Sequence, residues 1–177
     1  MSEESKKLGD SLAELHSGDP ERNIALCVDD EPAIKRLLSR IIPHFLPNVK
    51  VEEAECPDEA IDKISGELVG RVAFVFSDME MPGGKNGMDL ANALRGENAD
   101  PDLKENMKNV PFVIGSGNTD YANPSCEQGQ TMQALIDEGI VDVFVSKPFL
   151  PNDIKEAIEE AVNRVMIRVA GQDQEIQ

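Results

Sequence analysis

The sequence predicts an α/β protein built on one five-stranded parallel sheet with helices on both faces. Two observations carry the prediction. Short runs of β-branched and aromatic residues recur between stretches of helical periodicity, and strand and helix alternate five times. Several of the runs are apolar at successive positions, as a strand covered on both sides must be, whereas a half-exposed antiparallel strand would alternate.

The strand runs are Ile24 to Val28, Val49 to Ala54, Val72 to Ser77, Phe112 to Ser116 and Val141 to Val145. The second, Val49-Lys50-Val51-Glu52-Glu53, does alternate and is expected at an edge. Pro32 to Phe45 sets Ile34, Leu37, Leu38, Ile41 and Ile42 on one helical stripe, with Pro43 expected to kink or end the helix. Pro57 opens a second helix carrying Ala60, Ile61, Ile64 and Leu68. A third starts near Met88, turns Leu90, Ala91 and Leu94 inward, and stops near Gly96. A fourth is expected within Ser125 to Glu138, and the last runs from about Pro151 through Ile154, Ala157, Ile158, Ala161, Val165 and Ile167. Such βαβ units have right-handed crossovers, and ligands of such sheets sit beyond the carboxyl ends of the strands.

A length of 177 residues with 40% apolar content suits a single core. Residues 1–22 form an acidic N-terminal extension, read either as mobile or as a short amphipathic helix over Lys6 to His16. Residues 23–169 form the domain, and 170–177 a polar tail expected to fray. The net charge of −17 is opposite to what gripping a phosphate backbone demands, so nucleic acid is not an expected partner. Cys27, Cys56 and Cys126 are odd in number and widely spaced, which reads as reduced thiols in a cytoplasmic protein. There is no signal-type apolar segment near the start and no run long enough for membrane insertion.

Polar residues collect at the ends of the predicted strands. The first ends in Asp29-Asp30-Glu31, the third in Asp78, the fourth in Ser116 and the fifth in Lys147-Pro148. Taken singly, each has a plain alternative: Asp29 or Asp30 caps the helix at Pro32, Asp78 forms a turn, Ser116 caps a helix and Lys147 is a surface lysine. Their joint placement at neighbouring strand ends points instead to one cleft. Three carboxylates in one cleft repel and call for a hard divalent cation, for which Mg²⁺ with oxygen ligands is the natural choice. A carboxylate so placed can attack phosphorus and form an acyl phosphate, while the metal and Lys147 neutralise the transferring oxygens. Gly115-Ser116-Gly117 lacks the third glycine of a dinucleotide loop.

These segments resemble the receiver domain of two-component response regulators, over about Asn23 to Val169. Val28-Asp29-Asp30-Glu31-Pro32 resembles the acidic pair after the first strand. Val75-Phe76-Ser77-Asp78-Met79-Glu80-Met81-Pro82, followed by Gly87, resembles the phosphoacceptor segment. Val113-Ile114-Gly115-Ser116-Gly117 and Val145-Ser146-Lys147-Pro148-Phe149 resemble the hydroxyl and the lysine-proline step. The resemblance implies a flavodoxin-like, doubly wound fold with strand order 2-1-3-4-5. It implies phosphorylation of Asp78, and Mg²⁺ (with Mn²⁺ able to substitute) on Asp30, Asp78 and the Glu80 backbone carbonyl, with Asp29 acting through water. Ser116 and Lys147 would hold phosphoryl oxygens, Phe144 would be the aromatic switch, and Lys147-Pro148 would be cis. Glu80 and Asn118 would tune the lifetime of the acyl phosphate, both side chains overhanging it.

The implied function is a single-domain response regulator. It would be phosphorylated by a histidine kinase or a histidine phosphotransfer protein, with Mg²⁺-dependent self-phosphorylation and self-dephosphorylation, and would act on an unidentified protein target. Two other readings stand beside it. One is a receiver-fold binding module that works without phosphorylation. The other is a haloacid-dehalogenase-type phosphohydrolase, which the order of motifs disfavours because there the nucleophile precedes the acidic pair. The loop Gly83 to Gly87 and the stretches Arg95 to Val110 and Gly117 to Gln130 are longer than the family pattern, which leaves the output surface open.

Overall fold

The computed structural model describes residues 3–175. Its sheet is five-stranded: β1 (Ile24–Val28), β2 (Lys50–Ala54), β3 (Val72–Asp78), β4 (Phe112–Ser116) and β5 (Val143–Ser146), in the order β2-β1-β3-β4-β5. Every pairing is parallel. This is the flavodoxin-like order that the resemblance implies. The central strands β1, β3 and β4 are buried at every position, while β2 lies at an edge, as its alternation indicates.

Successive strand residues point to opposite faces and so build two cores. Ile24, Leu26 and Val28 of β1, with Val75 and Ile114, pack against α3 (Pro57–Ser65), α4 (Gly87–Arg95) and α6 (Glu127–Asp137) through Ile64, Leu90 and Leu135. Ala25, Cys27, Phe74, Phe76 and Val113 face the other way. They meet Leu38 and Ile42 of α2 (Pro32–Phe45) and Ile154, Ile158 and Ala161 of α7 (Pro151–Glu175).

Local chemistry sets several helix starts. Pro32, Pro57 and Pro101 occupy first-turn positions, where a missing N–H costs nothing. Asn86 and Asp89 form a capping box on α4.

The structure corrects two of the expectations and adds local structure to two of the long stretches. Pro43 does not end α2, which continues two residues further to Phe45. The polar tail after Ala170 belongs to α7, which runs to Glu175, so a boundary at Val169 falls within a helix. The long stretch 95–110 contains α5 (Pro101–Met107), with Asp100 accepting from the N–H groups of Asp102 and Leu103. The stretch 117–130 contains a 3-10 turn, Thr119–Ala122.

Of the two readings of the extension, the structure has the helix, α1 (Glu3–Leu15). Leu8 and Leu12 are buried among residues of α2 and α7. His16, just beyond it, is buried and hydrogen-bonds through Nε2 to the Ala73 carbonyl at 2.9 Å. Residues 1–2 and 176–177, the outer parts of the extension and tail, lie outside the described residues.

Candidate functional site

The register sets strand ends side by side: Val28 opposite Ser77, Asp78 opposite Gly115 and Ser116 opposite Ser146. Asp29 and Asp30 leave β1 where Asp78 ends β3, and Lys147 follows β5. The structure therefore brings the expected polar residues to one edge of the sheet.

Lys147 holds the cluster together. Its Nζ lies 3.0 Å from Asp78 Oδ1, 3.1 Å from Asp29 Oδ2 and 3.2 Å from Glu31 Oε1. Asp29 is buried, and its Oδ1 accepts the Glu31 N–H at 2.8 Å. The capping alternative for this pair does not hold, since Glu31 occupies the N-cap of α2 and no side-chain cap bond is made. Asp78 is also buried, and its Oδ1 accepts the Met79 N–H at 2.9 Å. Carboxylate oxygens of Asp29, Asp30 and Asp78 lie within 4.8 Å of one another. An all-oxygen set of three carboxylates can hold a hard divalent cation.

The electrostatics follow from crowding. Burial raises Asp78 above the usual carboxylate range; the ammonium of Lys147 and the Met79 N–H oppose the rise, and the charge of Asp29 adds to it. Asp29 is likewise raised by burial, against the pull of the Glu31 N–H and of Lys147. Burial alone would lower Lys147, yet its carboxylate partners, Asp78 foremost, push it up to about 12. Lys147 is therefore charged at neutral pH, one cation among a surplus of carboxylates.

Supporting contacts keep the backbone close. The Ser77 hydroxyl donates to the Asp78 carbonyl at 2.9 Å, and a Cβ on Gly87 would stand 2.4 Å from that same oxygen. Gly87 also donates its N–H to the Met79 carbonyl at 3.0 Å. A Cβ on Gly115 would meet the Phe149 ring at 2.6 Å, so glycine lets Phe149 pack under the site. The Lys147-Pro148 peptide is cis.

The remaining expected residues are arranged differently from one another. Ser116 is fully buried, and its Oγ accepts the Asn118 N–H at 2.9 Å. Glu80 is exposed on the loop after β3. Asn118 is half-buried, and its Oδ1 accepts the Asp120 N–H at 3.0 Å, so that oxygen caps the 3-10 turn. Phe144 is half-buried, with its ring 6.2 Å from that of Tyr121. Two contacts were not foreseen from the sequence. Glu31 reaches Lys147, a role that three consecutive acidic residues could have suggested, whereas nothing local marks Tyr121 as a neighbour of Phe144.

A family model, the response regulator receiver domain, matches residues 25–159. The chain belongs to this family. Receiver domains are signalling domains of two-component systems, and three solved structures show the same fold. A response regulator receiver domain protein from Clostridium thermocellum is 22% identical with a TM-score of 0.59, the match covering 82% of this chain and 98% of that one. The chemotaxis protein CheY4 of Vibrio cholerae is 19% identical with a TM-score of 0.59, covering 78% and 98%. A structure described as adenylate cyclase from Rhodopirellula baltica is 22% identical with a TM-score of 0.63, covering 88% and 98%. No curated protein matches the chain in sequence. Among the described residues of this receiver domain, no helix is long and apolar enough to cross a membrane.

Proposed function

We propose that this receiver domain accepts a phosphoryl group on Asp78 and signals through protein contact. The observation that carries the reading is the Lys147 ammonium at 3.0 Å from Asp78 and 3.1 Å from Asp29, inside a cluster whose three aspartates crowd to within 4.8 Å. Both protein donors to Asp78 converge on Oδ1, and among the described residues none donates to Oδ2. Oδ2 is thus the oxygen free to attack phosphorus.

With a phosphohistidine donor, an Asp78 oxygen forms the new P–O bond as the P–N bond breaks, and the departing imidazole nitrogen keeps the electron pair and is reprotonated from solvent. Asp29, Asp30, Asp78 and the backbone carbonyl of Glu80 would hold Mg²⁺, which when bound offsets negative charge on the transferring oxygens. Lys147, already charged, pairs with one phosphoryl oxygen, and the Ser116 hydroxyl has its proton available for another. Glu80 and Asn118 flank the site and set how readily water reaches the acyl phosphate. Changing both to alanine is expected to alter the dephosphorylation rate, measured by loss of adduct mass with time.

Partners follow from the chemistry. A histidine kinase or a histidine phosphotransfer protein supplies the group, and a protein target reads the result. Free Cys27, Cys56 and Cys126 agree with a reducing cytoplasm.

The test is intact-mass spectrometry of the protein incubated with Mg²⁺ and acetyl phosphate, beside Asp78→Asn and an EDTA control. A single hydroxylamine-labile phosphoryl adduct that requires both Mg²⁺ and Asp78 is expected. An equal adduct on the Asn variant would overturn the assignment. Failure to take up both Mg²⁺ and phosphoryl would favour a binding module that works without phosphorylation.

A further inference from the structure

The segment from Gly117 to Cys126 lies within the stretch Gly117 to Gln130 that is longer than the family pattern, and from Asn118, which flanks the site, it is tied to Ser116 by a run of hydrogen bonds. Ser116 Oγ accepts the Asn118 N–H at 2.9 Å, and Asn118 Oδ1 accepts the Asp120 N–H at 3.0 Å. The Asp120 carbonyl then accepts the Asn123 N–H at 3.0 Å and the Cys126 thiol at 3.0 Å. Tyr121 sits in the middle of this run, on the 3-10 turn Thr119–Ala122, none of whose residues is buried.

The ring of Tyr121 lies 6.2 Å from that of Phe144, inclined at 46°. Both line a groove of about 320 Å³ together with Met132 and Ile136 of α6. Burial, and then the charge of Glu80, hold the Tyr121 hydroxyl above its ordinary value.

The chemistry of a hydroxyl makes this run consequential. Serine carries one proton and two lone pairs, and the bond to Asn118 uses a lone pair. The proton of Ser116 stays available to a phosphoryl oxygen, so one atom belongs to the phosphoryl site and to the turn. A 3-10 turn of four residues has poor hydrogen-bond geometry and little buried surface, which makes it the first part of this region to yield.

We propose that Tyr121 is a moving part of the switch: engagement of the Ser116 hydroxyl by a phosphoryl group on Asp78 draws the Asn118 amide along, loosens the turn Thr119–Ala122 and separates Tyr121 from Phe144. The inference rests on the phosphoacceptor reading and adds to it a second aromatic, supplied by the chain's own lengthened loop. Tyr121 is a positioning residue here, acting on Phe144 rather than on phosphate.

The chain has one tyrosine and no tryptophan, so tyrosine emission reports on this residue alone. The full chain is incubated with Mg²⁺ and acetyl phosphate, and each sample is divided for intact mass, tyrosine emission and amide hydrogen exchange. Emission is expected to change in step with the adduct and to return as the adduct decays, with loss of protection at the Asp120 and Asn123 amides and no response from Asp78→Asn. An adduct with unchanged emission, or with unchanged protection at those amides, overturns the inference and leaves the phosphoacceptor reading standing. Absence of any Asp78 adduct overturns both.

Discussion

The two ends of the sheet each carry a charge cluster, and the clusters are built on opposite plans. At the carboxyl end, Asp29, Asp78 and Glu31 share the single ammonium of Lys147, and Asp30 stands beside them. At the amino end, one carboxylate is shared by two guanidinium groups. Asp142 Oδ2 accepts from Arg95 Nη1 at 3.0 Å and from the Phe112 N–H at 2.7 Å, and Oδ1 accepts from Arg168 Nη1 at 2.9 Å. Arg95 also donates to the carbonyls of Met107, Gly139 and Ile140, and its face lies 5.9 Å from the Phe112 ring centre. Burial works to lower Arg95, and Asp142 opposes it.

The difference separates structure from function. A buried carboxylate that accepts three hydrogen bonds, from two guanidinium groups and one backbone N–H, joins elements, here α4, β4 and α7, and is already charge-compensated. A cluster with surplus carboxylates is unfavourable alone and is relieved by a cation or by esterification of one member.

The largest expected effect tests the closed cluster. Asp142→Ala strands two guanidinium groups, one of them deeply buried, and should cost about 3–5 kcal/mol in urea unfolding. A loss below about 1 kcal/mol would break the contrast. The next effect belongs to the open cluster. Mg²⁺ at about one hundred times its Kd should stabilise the protein by about 2.7 kcal/mol, read as a rise in Tm, and Asp30→Asn should blunt that rise. In metal-free buffer, Asp78→Asn removes one of the crowded charges and is expected to gain about 0.5–2 kcal/mol, as removal of functional strain commonly does. A loss there would mean that the carboxylates are not in conflict.

The smallest effect concerns His16, at the amino end. Burial lowers it below its ordinary 6.5, Arg22 reinforces the shift, and the Ala73 carbonyl and Asp19 oppose it. The unfolded chain therefore binds the proton more readily than the folded one. The contribution of neutral His16 is complete above pH 6.5 and is lost as pH falls below that value. Tm measured between pH 7.5 and 5.5 should fall more for the wild type than for His16→Gln.

Much of the open cluster was legible because each member follows a strand whose apolar run is itself legible. Asp29 and Asp30, Asp78, Ser116 and Lys147 each sit within a residue or two of such a run, and a parallel sheet converts that position into proximity. The closed cluster had no such mark. Arg95 and Arg168 are ordinary basic residues at helical spacing, and Asp142 falls inside the expected strand run Val141 to Val145, whereas β5 starts only at Val143 and leaves Asp142 just before it. The helix α1 was ambiguous for a related reason: Leu8 and Leu12 fit an amphipathic turn, but only the groove between α2 and α7 gives them something to cover.

The sequence by itself determined the alternation of strand and helix, the parallel sheet and the set of polar residues at its carboxyl edge, because periodicity and strand ends are local properties of the chain. Tertiary structure alone decided that Glu31 joins Lys147, that Tyr121 rests on Phe144 and that Asp142 joins Arg95 to Arg168. Those contacts span 116, 47 and 26 residues for the Glu31–Lys147, Arg95–Asp142 and Asp142–Arg168 pairs. Contacts between side chains so far apart leave no periodic trace, since they depend on the packing of whole elements and not on the order of neighbours.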